Sequence, residues 1–441
     1  MKEINLKKIK QPYFIGIGGI GISAIARMLI LDGKKVSGSD VAKSKVTTEL
    51  QKLRAKIFIG QNAKNIPQDC DLVIYTIAVT PDNPEFAESK KRGIPMLSYP
   101  EALGLISKNK YTIAVAGTHG KTTTTAMIAK IMIDAKSDPT VIVGSFLKDS
   151  KSNFIAGKSQ YLVVEACEYR RSFLNIHPTI VVITNIDNDH LDYYKDIKDI
   201  IFAFSEFVGK VPKNGFVVTN VKDKNIKPVI KNLVCGIIDY KKNPPAGGLK
   251  VPGAHNKENA ATALAVAEIL GIDKKSAIKS LENFGGTWRR FEYKGKTAGG
   301  ALVYDDYAHH PTEIKATLAG ARELYPKQRI VVAFQPHLYS RTKILLNDFA
   351  HAFKDADEII LAPIYAAREP FDSKISSEIL AEKIKKLTSK KVSTFPDFQN
   401  IENYLRQSLK SGDILITMGA GEQNKIAEDL LKEFGDIKND Q

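Results

Sequence analysis

Cysteine is scarce in this chain: Cys70, Cys167 and Cys235 are the only three in 441 residues, far apart and with no C-x-x-C pair. Neither a disulfide framework nor a zinc knuckle can be built from them. No run of 18 apolar residues occurs, so no membrane-spanning helix is expected, and Met1-Lys2-Glu3-Ile4 does not open a signal peptide. Internal repeats and low-complexity tracts are also missing. Acidic residues are in short supply, 49 against 64 Lys and Arg, which leaves a net charge of +15. The excess is mostly Lys and is spread along the chain, its densest clusters being doublets such as Lys241-Lys242 and Lys390-Lys391. No basic stripe is interleaved with aromatics, so nucleic acid is not expected as a partner; attraction of anionic metabolites explains the charge. What remains is a cytoplasmic protein of ordinary hydrophobic content, 43%, long enough for several domains.

The stretch that organises it is Ala114-Val115-Ala116-Gly117-Thr118-His119-Gly120-Lys121-Thr122-Thr123-Thr124. An apolar run from Tyr111 reads as a buried strand, and Ala126 to Met132 has helical spacing. Strand, glycine loop, Lys-Thr and helix form the plan of a phosphate-binding loop. Backbone N–H groups and the helix start face phosphates, Lys121 reaches the terminal ones, and Thr122 holds Mg²⁺. The expected first glycine is missing, because Val115 stands in its place.

A second glycine motif lies upstream. Gly16, Gly18 and Gly21, with Gly19 among them, follow the strand-like Tyr13-Phe14-Ile15, and Ser23 to Leu31 continues as an apolar-faced helix. A second strand ends in Asp40, about twenty residues on, which completes a dinucleotide fingerprint. That pattern fits NAD, and it fits a UDP-linked ligand equally well. Further βα units run to Pro100 and the polar Ser107-Lys108-Asn109-Lys110, which puts a first domain at 1–109.

A second domain is expected over 110–291. Its strands end in Glu165 and in Thr184-Asn185-Ile186-Asp187-Asn188-Asp189-His190, at the sheet edge where ligands of α/β folds bind. Glu165 reads as a helix-capping acid or a Mg²⁺ ligand, and His190 as a buried histidine or a second ligand. His255, Asn256 and Asn259 open a helix, either capping it or holding a purine. Phe284-Gly285-Gly286-Thr287-Trp288-Arg289-Arg290-Phe291 reads as a hinge whose two arginines reach phosphate oxygens. The third domain, 292–441, repeats the alternation. Its strand ends carry Asp305-Asp306-Tyr307-Ala308-His309-His310-Pro311 and Gln335-Pro336-His337-Leu338-Tyr339-Ser340-Arg341-Thr342, with Pro311 as a first helical residue.

Six motifs together resemble the Mur ligase family over nearly the whole chain. They are Phe14–Gly21, Gly117–Thr123, Thr184–His190, Pro252–Asn256, Asp305–Pro311 and Phe334–Thr342, and the abbreviated phosphate loop is itself typical of that family. The resemblance implies an α/β, three-domain Mur ligase architecture: a Rossmann-like N-terminal domain, a P-loop ATPase-like central domain and a Rossmann-like C-terminal domain. It further implies ATP and Mg²⁺ as cofactors, and, through its last two motifs, UDP-N-acetylmuramate and L-alanine as substrates in peptidoglycan precursor synthesis. By resemblance, Gly16, Gly18, Gly19, Gly21, Ser23 and Asp40 bind the UDP-sugar. Gly117, Thr118, His119, Gly120, Lys121, Thr122 and Thr123 bind the ATP phosphates. Thr122, Glu165 and His190 take metal, and His255, Asn256 and Asn259 hold adenine. Arg290 reaches the γ-phosphate, Asp306 the ribose or a metal-bound water, and Tyr307, His309, His337 and Arg341 line the amino-acid pocket. Lys121, His190, Arg290 and His309 are the expected catalytic set, with His190 or His309 as base for the amine.

Three features depart from or qualify the pattern. Glu165-Ala166-Cys167-Glu168-Tyr169-Arg170-Arg171 replaces the acidic run expected there, Leu338 replaces an arginine, and no lysine lies near Ser205, as in the alanine-adding branch. Other readings are a NAD-dependent oxidoreductase, a regulatory nucleotide-binding protein, and a ligase of the same fold for another amino acid or a peptide.

Overall fold

The computed structural model describes residues 4–148, 150, 152–242, 247–367 and 369–432; the polar tail expected to fray, Lys438-Asn439-Asp440-Gln441, lies outside them. Strands and helices alternate through three sheets. The first contains β1 (Pro12–Ile15), β2 (Ser37–Asp40), β3 (Lys56–Ile59), β4 (Leu72–Tyr75) and β5 (Met96–Ser98). They run parallel in the order β3-β2-β1-β4-β5. The chain reverses its direction of travel across the sheet between β1 and β4, so the crevice beyond their carboxyl ends is the place for a ligand.

The second sheet contains β6 (Tyr111–Ala116), β7 (Thr140–Leu147), β8 (Ser152–Ile155), β9 (Tyr161–Glu165), β10 (Ile180–Ile183), β11 (Phe216–Thr219) and β12 (Gly236–Asp239). Its order is β12-β11-β10-β6-β9-β7-β8, parallel except for the β7–β8 hairpin. β10 is a continuous apolar run buried at every position, and β6 is apolar and buried from Ile113 to Ala116. Central strands covered on both faces need that composition.

The third sheet contains β13 (Glu292–Lys296), β14 (Leu302–Asp306), β15 (Ile330–Phe334), β16 (Glu358–Leu361), β17 (Lys391–Thr394) and β18 (Ile414–Met418). Only the β13–β14 pair is antiparallel in the order β13-β14-β18-β15-β16-β17. Alternate residues of the same strands feed two cores. Ile330, Val332 and Phe334 point to one face, and Val331 and Ala333 to the other.

The chain divides into two compact units. One holds described residues up to 188, then 193–242 and 259–282; the other holds 189–192, 247–258 and 283–432. The first two sheets therefore share a unit. Asn153 of β8 donates to the Ser23 hydroxyl at 3.0 Å, and the His177 N–H donates to Ser107 at 3.0 Å. Local caps follow the sequence signals. Ser98 and Glu101 form a capping box with Pro100 in the first turn, and His310 caps a helix (Pro311–Leu324) that begins on proline.

Candidate active site

In the first unit, two glycine turns each lead from a strand into a helix whose start no side chain caps. After β1, Gly19 precedes the helix Ile20–Leu31; after β6, Gly120 precedes the helix Lys121–Asp134. A helix start of this kind presents backbone N–H groups and the positive end of the dipole to an anion.

The first turn is held tightly. Gly16 sits at φ +78°, and a Cβ there would fall 2.5 Å from Thr76. Asp40 does not reach outward as a ribose-binding acid would. One oxygen accepts the Gly18 N–H at 2.7 Å and the other the Val41 N–H at 2.8 Å. Both of its oxygens hold the turn and the start of the loop that follows β2. Ser23 likewise faces inward, fully buried, donating to Ile20 O at 2.9 Å and accepting from Asn153.

The second turn is laced to the loop after β10. The Thr118 N–H donates to Asn185 O at 3.0 Å, the His119 N–H to the Asn185 side chain at 2.9 Å, and Thr184 to His119 O at 2.6 Å. Gly117 sits at φ +131°, where a Cβ would lie 2.0 Å from the Thr184 hydroxyl, so only glycine fits. Asn259 lies against Gly120 and accepts from Thr124 at 3.1 Å. Thr123 is buried beside it in the sequence.

Lys121 folds back over this turn, donating to Gly117 O at 2.5 Å, Thr118 O at 3.0 Å and Glu168 at 3.0 Å. Burial pulls the ammonium's pKa down, but the carboxylates of Glu168 and Glu165 outweigh it and leave it above its ordinary value. Thr122 lies 3.0 Å from one Glu165 oxygen and 3.1 Å from the other, and Glu165 also accepts the Gly144 N–H at 2.8 Å. A hydroxyl and a carboxylate so close form a hard oxygen pair that suits Mg²⁺. Cys167, next in this loop, is exposed, yet burial of its thiol, followed by Glu168, pushes it up to about 12. That shift disfavours the thiolate.

The second unit gathers the other candidates. Tyr307 stands with its ring 5.2 Å from the Arg289 guanidinium, 5.4 Å from that of Arg290 and 5.3 Å from His309. His309 lies 5.7 Å from His337, whose Nδ1 accepts from Arg341 at 2.8 Å. Arg341 also donates to Asp189 at 2.8 Å, both side chains being buried. Burial lifts the Asp189 carboxyl, but Arg341, then His190 and His309, hold it well below the usual range. Asp189 was not singled out in the sequence, yet it takes one end of the guanidinium expected to hold an amino-acid carboxylate. Leu338, which follows His337, is buried at φ +69°.

The hinge arginines separate in role. Arg289 is spent on structure: it donates to Asp305 at 2.7 Å, Gly421 O at 3.0 Å and Gly419 O at 2.9 Å. The expectation that both arginines reach phosphate therefore fails for Arg289, whose donors are buried on these acceptors. Arg290 lies 3.7 Å from Glu313. Asp306 accepts from the Phe291 and Ala308 N–H groups and from Thr317, and burial, opposed by Arg290, pushes its carboxyl up to about 6.

His255 and His309 are both pulled down to about 4, by burial first. His309 Nδ1 lies 3.0 Å from Tyr307 O and 3.4 Å from Glu313, which fixes the proton there and leaves Nε2 as an acceptor. An imidazole with that pKa is a poor base for an ammonium proton. His190, at φ +54°, lies 3.9 Å from Asp189. Asn256 donates to Pro252 O at 2.7 Å, at the start of the helix Ala254–Ile269.

Family models match in three consecutive stretches: the Mur ligase family catalytic domain at residues 11–111, the Mur ligase middle domain at 115–251, and the Mur ligase glutamate ligase domain at 289–421. A UDP-N-acetylmuramate–L-alanine ligase of Clostridium tetani is 44% identical, with 97% of this chain and 99% of the relative aligned. One of Acetivibrio thermocellus is also 44% identical, at 97% and 96% coverage. Among solved structures, the UDP-N-acetylmuramate–alanine ligase of Thermotoga maritima superposes with a TM-score of 0.81 at 29% identity, covering 97% of this chain and 99% of that one. A murein peptide ligase of Psychrobacter arcticus shares the fold, with a TM-score of 0.70 at 23% identity over 97% of this chain and 99% of its own.

Proposed function

Since the chain belongs to the Mur ligase family, we propose that it joins L-alanine to the lactyl carboxylate of UDP-N-acetylmuramate, converting ATP to ADP and phosphate. The observation that carries this reading is the pair of uncapped helix starts in one unit, at Gly19 and at Gly120. A ligase acting on a nucleotide-sugar with ATP needs two polyphosphate sites. A NAD-dependent oxidoreductase needs one, and Asp40, turned onto Gly18, does not favour it.

The reaction proceeds in two steps. A lactyl carboxylate oxygen attacks the γ-phosphorus of ATP, the bond to ADP breaks, and an acyl phosphate forms. The alanine nitrogen then attacks the acyl carbon, phosphate leaves, and the nitrogen loses its proton to give the amide. Lys121, kept charged by Glu168, stabilises charge on the transferred group. Thr122 and Glu165 would hold a divalent cation, which neutralises phosphate charge. From the resemblance, His190 is a further metal ligand, His255, Asn256 and Asn259 contact adenine, Arg290 the γ-phosphate and Asp306 the ribose. Tyr307, His309, His337 and Arg341 define the amino-acid pocket. With His309 neutral and weakly basic, alanine is captured with its amine already deprotonated, or loses the proton to phosphate as it leaves.

No helix among the described residues is long and apolar enough to cross a membrane. A reaction between soluble nucleotide substrates supports a cytoplasmic location. The test is phosphate release with ATP, Mg²⁺ and UDP-N-acetylmuramate, with each amino acid added in turn. Release that depends on alanine supports the proposal; release with serine, glycine or a peptide alone moves the assignment to another ligase of this fold.

A further inference from the structure

The run Cys167-Glu168-Tyr169-Arg170-Arg171 contains two arginines to which the reaction above gives no role. Both are left-handed, Arg170 at φ +52° and Arg171 at φ +55°. Residues with side chains adopt that conformation at a cost, and consecutive cases need a reason.

Arg171 has a structural one. It pairs with Asp199 at 2.7 Å and with Glu206, and it lies over the rings of Tyr194 and Phe202. These contacts fasten the loop to the helix Ile197–Val208. Arg170 differs. It is exposed, its guanidinium donates to Ile77 O at 3.2 Å and lies over Tyr169, and no carboxylate of the described residues pairs with it. The strain thus holds out a full positive charge with no counter-charge.

Its position gives that charge a use. Ile77 follows Thr76, the residue packed against Gly16, just beyond the carboxyl end of β4. That end and the end of β1 flank the point where the first sheet reverses its strand order. Tyr99, after β5, ties the same places together. Its ring lies 2.7 Å from where a Gly21 Cβ would be, and burial, then Cys167 and Glu165, push its hydroxyl up. The segment from Glu165 to Arg171, on the second sheet, therefore borders the glycine turn of the first.

We propose that Arg170 contacts the substrate, its guanidinium binding the diphosphate of the nucleotide-sugar that rests on the Gly16–Gly21 turn. The turn supplies backbone N–H groups, and a diphosphate carries more charge than those satisfy; a fork of guanidinium donors supplies the rest. The inference rests on the assignment of a UDP-linked substrate.

Calorimetric titration of the full chain with UDP and with uridine tests it. In Arg170→Gln, UDP affinity falls on the order of tenfold or more while uridine affinity stays unchanged. Arg170→Lys restores part of the loss. Arg170→Gly, which relieves the left-handed strain, weakens UDP as Arg170→Gln does without lowering Tm. In steady state, Arg170→Gln raises KM for UDP-N-acetylmuramate and leaves KM for ATP unchanged. Equal weakening of UDP and uridine, or undiminished UDP binding, overturns the inference alone. A wild-type chain that binds neither UDP nor UDP-N-acetylmuramate overturns the substrate assignment beneath it.

Discussion

The ammonium of Lys121 lies 3.0 Å from the Glu168 carboxylate, with 13% and 3% of the two side chains exposed. Glu168 therefore keeps the lysine charged and aimed at its own turn. Removing one partner of a buried pair strands the other charge, which costs about 3–5 kcal/mol. Glu168→Ala is expected to lose stability on that scale in denaturant unfolding. Lys121→Ala is expected to abolish phosphate release while leaving calorimetric binding of UDP-N-acetylmuramate intact; loss of both would contradict separate sites for the two polyphosphates.

Gly117→Ala is expected to fail for a steric reason. The added methyl would fall 2.0 Å from the Thr184 hydroxyl, at φ +131°. Overpacking and strain together predict destabilisation of about 2–4 kcal/mol and loss of ATP turnover. A variant with wild-type Tm would show that this turn is looser than described.

The Thr122–Glu165 pair predicts the metal dependence. Glu165→Gln keeps the shape and the Gly144 hydrogen bond but removes the charge. The Mg²⁺ concentration for half-maximal phosphate release is expected to rise about tenfold or more, the scale of a lost charged ligand contact. An unchanged Mg²⁺ requirement would remove Glu165 from the metal site.

The two depressed histidines set an acid limit. His255 and His309, at about 4 when folded, bind protons near 6.5 when unfolded. Between those values the unfolded chain holds more protons, so the stability they contribute is full above pH 6.5 and is lost as pH falls toward 4. Each contributes about 3 kcal/mol over that window. Asp306, raised to about 6, works in the opposite sense: its protonated folded form favours stability at low pH, and that advantage is lost as pH rises from 4 to 6. His309→Gln is expected to flatten the fall of Tm between pH 6.5 and 4. An unchanged slope would mean that His309 titrates alike in both states.

The sequence made some of this legible and concealed the rest for physical reasons. Backbone-demanding residues announced themselves. Gly16, Gly117 and Gly120 all take positive φ, and Pro311 starts its helix. Adjacent residues of one type did not: nothing in Arg289-Arg290 says that the first is buried on Asp305, because that depends on where β14 and β18 meet. Asp40 had the spacing of a ribose ligand, but the N–H of Gly18, on the far side of the intervening helix in sequence, claimed it. The β7–β8 hairpin does not show in the sequence, because β7 is buried at all but one of its positions and so lacks the alternating pattern of a half-exposed strand. Asp189 was hidden inside a polar run, where only the partner Arg341, far away in sequence, distinguishes it from its neighbours.

The most direct measurement is phosphate release from ATP in the presence of Mg²⁺ and UDP-N-acetylmuramate, with and without L-alanine. The account predicts release that rises sharply with alanine and yields equal amounts of ADP, phosphate and the alanyl product. Release indifferent to every amino acid, or none at all under these conditions, would contradict it.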